Sequence, residues 1–171
     1  MDHALDGARA TGGPRDLPAV SRAYGVHALH YAEASERMPG TWRLYYEKWR
    51  ETTRDHLDVR LLQLMPDLAK LAPPATVIDK TRYSAFFEPF LLQHLRARQA
   101  DGLVVTGSET DVCVLATIMG AVDHGYRVIL VRDGVCSSSD QGHDALLELY
   151  QRRFSTQIET VDVETVLSRW V

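Results

Sequence analysis

Short apolar runs alternate along this chain with longer stretches whose apolar residues recur every three or four positions. The runs are Val26 to Tyr31, Thr76 to Asp79, Leu103 to Val105, Arg127 to Val131 and Gln157 to Val161. Their length and β-branched content fit strands covered on both faces of a parallel sheet. The intervening stretches predict helices at Leu17 to Tyr24, Leu57 to Leu71, Pro89 to Ala100, Val112 to Val122, Ser139 or Asp140 to Phe154, and Val163 to Trp170. Pro66 breaks or restarts the second of these, whereas Pro89 suits a first helical turn. Strands alternating with helices predict an α/β fold with a parallel sheet.

The most informative stretch runs from Gly102 to Gly125, GLVVTGSETDVCVLATIMGAVDHG. It reads as a buried strand ended by Gly107, a tight turn, and a helix stopped by Gly125. Thr110 is the expected N-cap, and Val112, Leu115, Ala116, Met119 and Val122 form one apolar face. Cys113 then falls in the first turn. Unpaired N–H groups and the helix dipole favour an anion there, so the thiol should be acidified. Two readings stay open at this point: Cys113 as a nucleophile at the carboxyl edge of the sheet, where open α/β folds bind ligands, or Cys113 as one more small apolar residue.

Composition narrows the class. The chain has 171 residues, 45% hydrophobic and 25% charged, with net charge −4, which fits one ordinary globular domain without a nucleic-acid or membrane surface. No apolar run approaches the about 20 residues that span a bilayer. Two cysteines without a CxxC pair or secretory leader suggest free thiols and a cytoplasmic location. Residues 1–14 read as a poorly ordered leader, and 15–171 as the domain.

Lys80 follows the strand at Thr76 to Asp79, on the same rim as the Cys113 turn. Its charge could stabilise a thiolate and later an oxyanion; a surface lysine is the plainer alternative. Cys136, in DGVCSSSD without a basic neighbour in sequence, reads as a structural thiol. The segment TWRLYYEKWR places Trp42, Tyr45, Tyr46 and Trp49 at helical offsets of three and four. These rings could wall a pocket, anchor a subunit interface or form a satellite core. No GxGxxG follows a strand, and neither a phosphate-binding GxxxxGK[ST] loop nor HExxH occurs. His30, His56, His94, His124 and His143 are scattered.

VIDKTRYSAFF followed by TGSETDVCVLATIMGAVDHGYRVILVRDGVCSSS resembles the isochorismatase-like cysteine hydrolases, the superfamily of isochorismatase, nicotinamidase and N-carbamoylsarcosine amidase. The resemblance covers roughly Val26 to the C-terminus. It implies a three-layer α/β/α, Rossmann-like fold with strand order 3-2-1-4-5-6. It implies Cys113 as nucleophile, Lys80 as its charged partner, and a non-proline cis peptide at Ser108–Glu109. The turn amides, those of Cys113 and a neighbour such as Val112, would form an oxyanion hole. The implied chemistry is thiolate attack on a small amide-type carbonyl, loss of ammonia or an amine, and hydrolysis of the thioester.

One departure stands out. The family's first strand, which carries a catalytic Asp, has no counterpart here; Asp2, Asp6 and Asp16 are the only upstream candidates, and none follows a strand. That strand would sit mid-sheet, so its neighbours at Val26 and Thr76 would lose a partner. The favoured explanation is a shortened version of a longer protein; a recruited leader, or closure of the two halves on each other, are the alternatives. The nicotinamidase metal pattern is also missing, so neither metal nor other cofactor is expected. Two functions follow. One is an amide hydrolase with Trp42, Tyr46, Trp49, Tyr83 and Phe86 around a small-molecule substrate. The other is a catalytically impaired member, or pseudoenzyme, that binds a ligand or protein partner. A homo-oligomer is expected in either case.

Overall fold

The computed structural model describes residues 24–27, 38–53 and 55–169. The leader, the helix expected before Tyr24, His30, and the candidates Asp2, Asp6 and Asp16 lie outside the described residues.

The described residues form two parallel sheets. In the first, β1 (Tyr24–His27) pairs with β2 (Thr76–Asp79), Tyr24 opposite Thr76 and His27 opposite Asp79. β1 starts two residues earlier than the apolar run suggests. In the second sheet, β3 (Gly102–Ser108), β4 (Arg127–Cys136) and β5 (Ile158–Val161) lie in that order. Among the described residues nothing pairs the two sheets. With the family order laid over them, β2 and β1 occupy the two outer positions of one half and β3, β4 and β5 the other half.

The helices are α1 (Thr41–Lys48), α2 (Pro66–Ala69), α3 (Pro89–Ala97), α4 (Leu115–Asp123), α5 (Asp140–Arg153) and α6 (Val163–Ser168). The helix expected over Leu57 to Leu71 is instead a short 3-10 turn, Val59–Leu62, and the single turn of α2 that Pro66 begins. Among the described residues three peptides are cis: Ala72–Pro73, Pro73–Pro74 and Ser108–Glu109.

The main core lies where α4 and α5 meet the second sheet. Ile118, Ala121, Val128, Leu130 and Tyr150 are wholly buried there, with Ile158 beside them. Each large aliphatic chain so buried is worth roughly 1.5–3 kcal/mol. A second cluster of Ile78, Ala85, Leu91 and Leu95 packs α3 onto β2, and Leu103 and Tyr126 join it from the other sheet. Arg127 on β4 pairs with Glu159 on β5 through two hydrogen bonds of 2.5 and 2.9 Å. No helix among the described residues is long and apolar enough to cross a membrane.

β4 corrects a sequence expectation. Asp133-Gly134 reads as the start of a loop, yet the strand continues to Cys136. Pairing with β3 breaks after Val105, opposite Leu130, and resumes with Gly107 opposite Val135 and Ser108 opposite Cys136. Gly134 passes so near Val131 and Thr106 that a Cβ would meet both at 3.1 Å. The resumed register carries the serines after Cys136 alongside Glu109. Cys136, read from its context as a structural thiol, is exposed.

Candidate active site

The site is built where the carboxyl ends of β2 and β3 open toward α1 and α4. Gly107, at φ 114°, adopts backbone geometry that side-chain-bearing residues rarely reach, and the cis peptide follows one residue later. A π-helical turn, Thr110–Val114, then leads into α4. The turn's amides are partly committed: those of Val112 and Val114 both donate to the Glu109 carbonyl, at 3.2 and 3.0 Å. Cys113 is half-buried on this turn.

Thr110 is not the N-cap. Glu109 holds that position, without a side-chain capping bond. The Thr110 side chain is fully buried, and its hydroxyl meets His143 Nδ1 on α5 at 2.9 Å. The Glu109 carboxylate turns to the end of β4. It accepts hydrogen bonds from Ser137 Oγ (2.9 Å), Ser138 N (2.8 Å) and Ser138 Oγ (2.8 Å). The backbone N–H of Ser138, followed by its hydroxyl, holds this carboxyl below its ordinary pKa. The single Ser137 hydroxyl hydrogen is shared between Glu109 and Asp111, whose Oδ1 lies 2.5 Å from Ser137 Oγ, and Asp111 lies against Gly142. The cysteine turn is thus fastened on one side by Ser137, Ser138 and His143.

Lys80 approaches from the other side. It is 7% exposed, and its ammonium donates to the carbonyls of Arg82 and Tyr83, both at 3.1 Å. Burial lowers its pKa, opposed by the charge of Cys113 and a hydrogen bond to it. The loop after Lys80 is tied to α4 by Ala85 N–H donating to Thr117 Oγ1 at 3.1 Å. That bond fixes the loop, and so the lysine, relative to the helix that follows the cysteine turn.

Aromatic rings close over this pair. Trp42 lies 4.9 Å from Tyr83 and 6.0 Å from Tyr46, and Tyr45 sits 6.4 Å from Tyr83. Burial raises the pKa of the Tyr83 phenol, with smaller contributions from Tyr45 and Cys113. Of the expected wall residues, Trp42, Tyr46 and Tyr83 come together, with Tyr46 only 1% exposed. Trp49 points outward, 46% exposed, with Lys48 over its ring. Phe86 lies elsewhere: it packs on His124, Tyr126 and Gly120 in the core between the two sheets. Tyr45, one of the four rings at helical offsets, and Arg82, which the sequence reading did not single out, complete the cluster. Tyr45 shares the helical spacing of Trp42, and Arg82 follows Lys80 by two positions. Among the described residues no group of three or more His, Cys, Asp or Glu could hold a metal ion.

A parallel α/β sheet, a cysteine on the turn after one strand and a buried lysine after another define a class of cysteine-centred α/β proteins. The isochorismatase domain signature matches residues 9–162, and the chain belongs to the isochorismatase family. It is 35% identical over 86 residues to the isochorismatase family protein PncA of Bacillus subtilis, covering 50% of this chain and 47% of that one. It is 37% identical over 79 residues to the maleamate amidohydrolase of Pseudomonas putida, covering 45% of this chain and 37% of that one. The alignments thus span about half, or less, of these curated relatives. An isochorismatase-like hydrolase from Alkaliphilus metalliredigens superposes with a TM-score of 0.55 at 27% identity, covering 64% of this chain and 59% of that one. A cysteine hydrolase from Pseudomonas syringae superposes with a TM-score of 0.67 over 82% of this chain and 69% of that one; at 24% identity it speaks for the fold alone.

Proposed function

We propose that this chain is a cysteine hydrolase that cleaves a small amide-type C–N bond. The observation that carries the reading is the buried Lys80 ammonium against Cys113. A cation held there favours the thiolate, the nucleophilic form. The sulfur attacks the carbonyl carbon, forming a C–S bond as the C–N bond breaks. The thiol proton leaves on the departing ammonia or amine. Water then cleaves the thioester, releasing a carboxylic acid and restoring the thiol. The Cys113 N–H would steady the oxyanion, with the Val112 N–H shared with the Glu109 carbonyl. The amidohydrolase among the relatives supports this substrate class.

A second reading, ligand binding with little turnover, has one observation in its favour. Glu109, a carboxylate at the start of the cysteine turn, is engaged by Ser137 and Ser138. It is therefore not available to take the thiol proton, help that is worth about 10²–10⁴-fold.

The test is the rate of alkylation by iodoacetamide against pH, followed by peptide mass mapping, with exposed Cys136 as internal control. Fast labelling of Cys113 well below pH ~8.5, the free thiol value, together with ammonia release from a primary amide panel, supports hydrolysis. Fast labelling without ammonia release selects the binding reading. Labelling of Cys113 no faster than Cys136 overturns the activated nucleophile.

A further inference from the structure

We infer that His143 is a positioning residue, which acts through Thr110 to keep Cys113 aimed at Lys80. The inference rests on the activated-thiol reading above and goes beyond it by naming what holds the thiol in place. Cys113 sits in a π-helical turn, Thr110–Val114. Such a turn is wider than an α-helix, is rarely adopted and occurs mostly singly. Its own backbone bonds are few. The N–H groups of Val112 and Val114 share the Glu109 carbonyl, and the Leu115 N–H reaches the carbonyls of Thr110 and Val112. A tie from outside the turn opposes its rewinding as α-helix, the commoner form.

His143 supplies that tie. Its ring Nδ1 lies 2.9 Å from the Thr110 hydroxyl, and the Thr110 side chain is wholly buried. A buried hydroxyl that loses its partner bears the full cost of its desolvation. Thr110 is also β-branched, so fixing its oxygen fixes χ1 and steadies the first residue of the turn. The histidine itself stands on a firm base. Ser139 caps α5 by accepting from the Gly142 N–H, and the His143 N–H donates to the Ser139 carbonyl at 2.9 Å. Gly142, beside it, lets α5 come against Asp111. Lys80 meets the turn from the opposite side, held by the carbonyls of Arg82 and Tyr83. A turn rewound as α-helix would rotate the Cys113 side chain while the ammonium stayed where it is. Thiolate stabilisation falls with the separation of the two charges, so that rotation would cost the thiol its activation.

The experiment is iodoacetamide labelling of Cys113 at pH 7 in the full chain, with Cys136 as internal control. The variants are His143→Ala and Thr110→Val, singly, together and each with Lys80→Met. In His143→Ala, Cys113 should label ~10-fold more slowly, the scale of one lost hydrogen bond, while Cys136 is unchanged. Thr110→Val keeps the branch and loses the hydroxyl. It should slow labelling alike, and the pair together should be no slower than either alone. Lys80→Met should slow the parent but add nothing to His143→Ala, because the thiol there no longer faces the ammonium. A histidine that served stability alone would lower the urea midpoint and leave the Lys80→Met effect intact, which overturns the assignment. His143→Asn sets an amide atom where Nδ1 stands and should restore the parent rate; His143→Gln, whose amide reaches the Nε2 position, should not. If His143→Ala does not fold, this contrast decides, and equal rates in the two amide variants overturn the assignment. Fast Cys113 labelling in His143→Ala overturns the positioning role and leaves the hydrolase reading standing. A parent whose Cys113 labels no faster than Cys136 overturns both.

Discussion

The buried Lys80 ammonium donates to the carbonyls of Arg82 and Tyr83, both at 3.1 Å, and its charge interacts with that of Cys113. The lysine thus has a fixed position and, once buried, poor access to water. Replacing it with methionine keeps the apolar stem and removes the charge. Cys113 alkylation at pH 7 should slow by about 10-fold or more, the scale of a hydrogen bond to a charged group, while Cys136 is unchanged. Burial lowers the Lys80 pKa, so its ammonium is lost on the alkaline side before the ~10.4 of free lysine. Between those two values the unfolded chain binds the extra proton, and native stability therefore rises with pH through that window. A Cys113 rate that is insensitive to Lys80→Met would remove the lysine from the site chemistry.

Glu109 fixes the cysteine turn to the end of β4 through three hydrogen bonds. Its carboxyl titrates below the ordinary glutamate value, chiefly because of the Ser138 N–H. A depressed acid contributes stability that is fully present above its unfolded pKa of ~4.3 and is lost as pH falls through the lower, native value. Glu109→Gln should cost about 1–2 kcal/mol at pH 7. In urea titrations that gap should persist to pH ~4.3 and shrink only below it. A gap that is the same at pH 3 and pH 7 would show that shape, not charge, holds the turn.

Gly142 lets α5 come against the cysteine turn. A methyl group there would overlap the Asp111 carboxylate and press on Ser139 Oγ. Asp111 is already held by Ser137, so it has little room to withdraw. Gly142→Ala should destabilise by about 1–3 kcal/mol, the usual scale of overpacking. It should also slow Cys113 labelling more than Cys136 labelling, because the strain enters through the turn. Unchanged labelling at unchanged stability would mean that Asp111 moves freely.

Local pattern made the elements and the rim legible, but not what crosses between distant segments. Val-rich runs gave β3 and the start of β4, and Lys80 follows β2 where a strand's carboxyl end must place it. Asp133-Gly134 looks like a turn to any local reading. It stays in β4 because Gly134 has no Cβ to clash with Val131 and Thr106. Thr110 looks like a cap in its own segment, yet its hydroxyl is taken by His143, 33 residues away. Phe86 reads as a pocket ring beside Tyr83 and is instead accommodated by the missing side chain of Gly120. The rings of Trp42 and Tyr83 meet only because α1 folds over the loop after β2, a long-range contact with no local signal. The upstream candidates for the family's catalytic acid, Asp2, Asp6 and Asp16, lie outside the described residues.

Tyr150, on the inner face of α5, offers a test of the core that spares the site. Its side chain is wholly buried, and its hydroxyl finds no hydrogen-bond partner among the described residues. Burial alone pushes its pKa up to about 12. An unpartnered buried hydroxyl costs about 1–3 kcal/mol of lost hydration, and phenylalanine removes that cost while keeping the ring. Tyr150→Phe should therefore stabilise the protein by about 1 kcal/mol in urea unfolding at pH 7. The pH dependence has a definite sign. A tyrosine whose native pKa is raised contributes stability below its unfolded pKa of ~10 and loses it as pH climbs toward the native value. The advantage of Tyr150→Phe should thus widen above pH ~10, where the unfolded parent ionises and the native one does not. A variant that is less stable than the parent at pH 7 would reveal a hydrogen bond to the Tyr150 hydroxyl from residues outside those described.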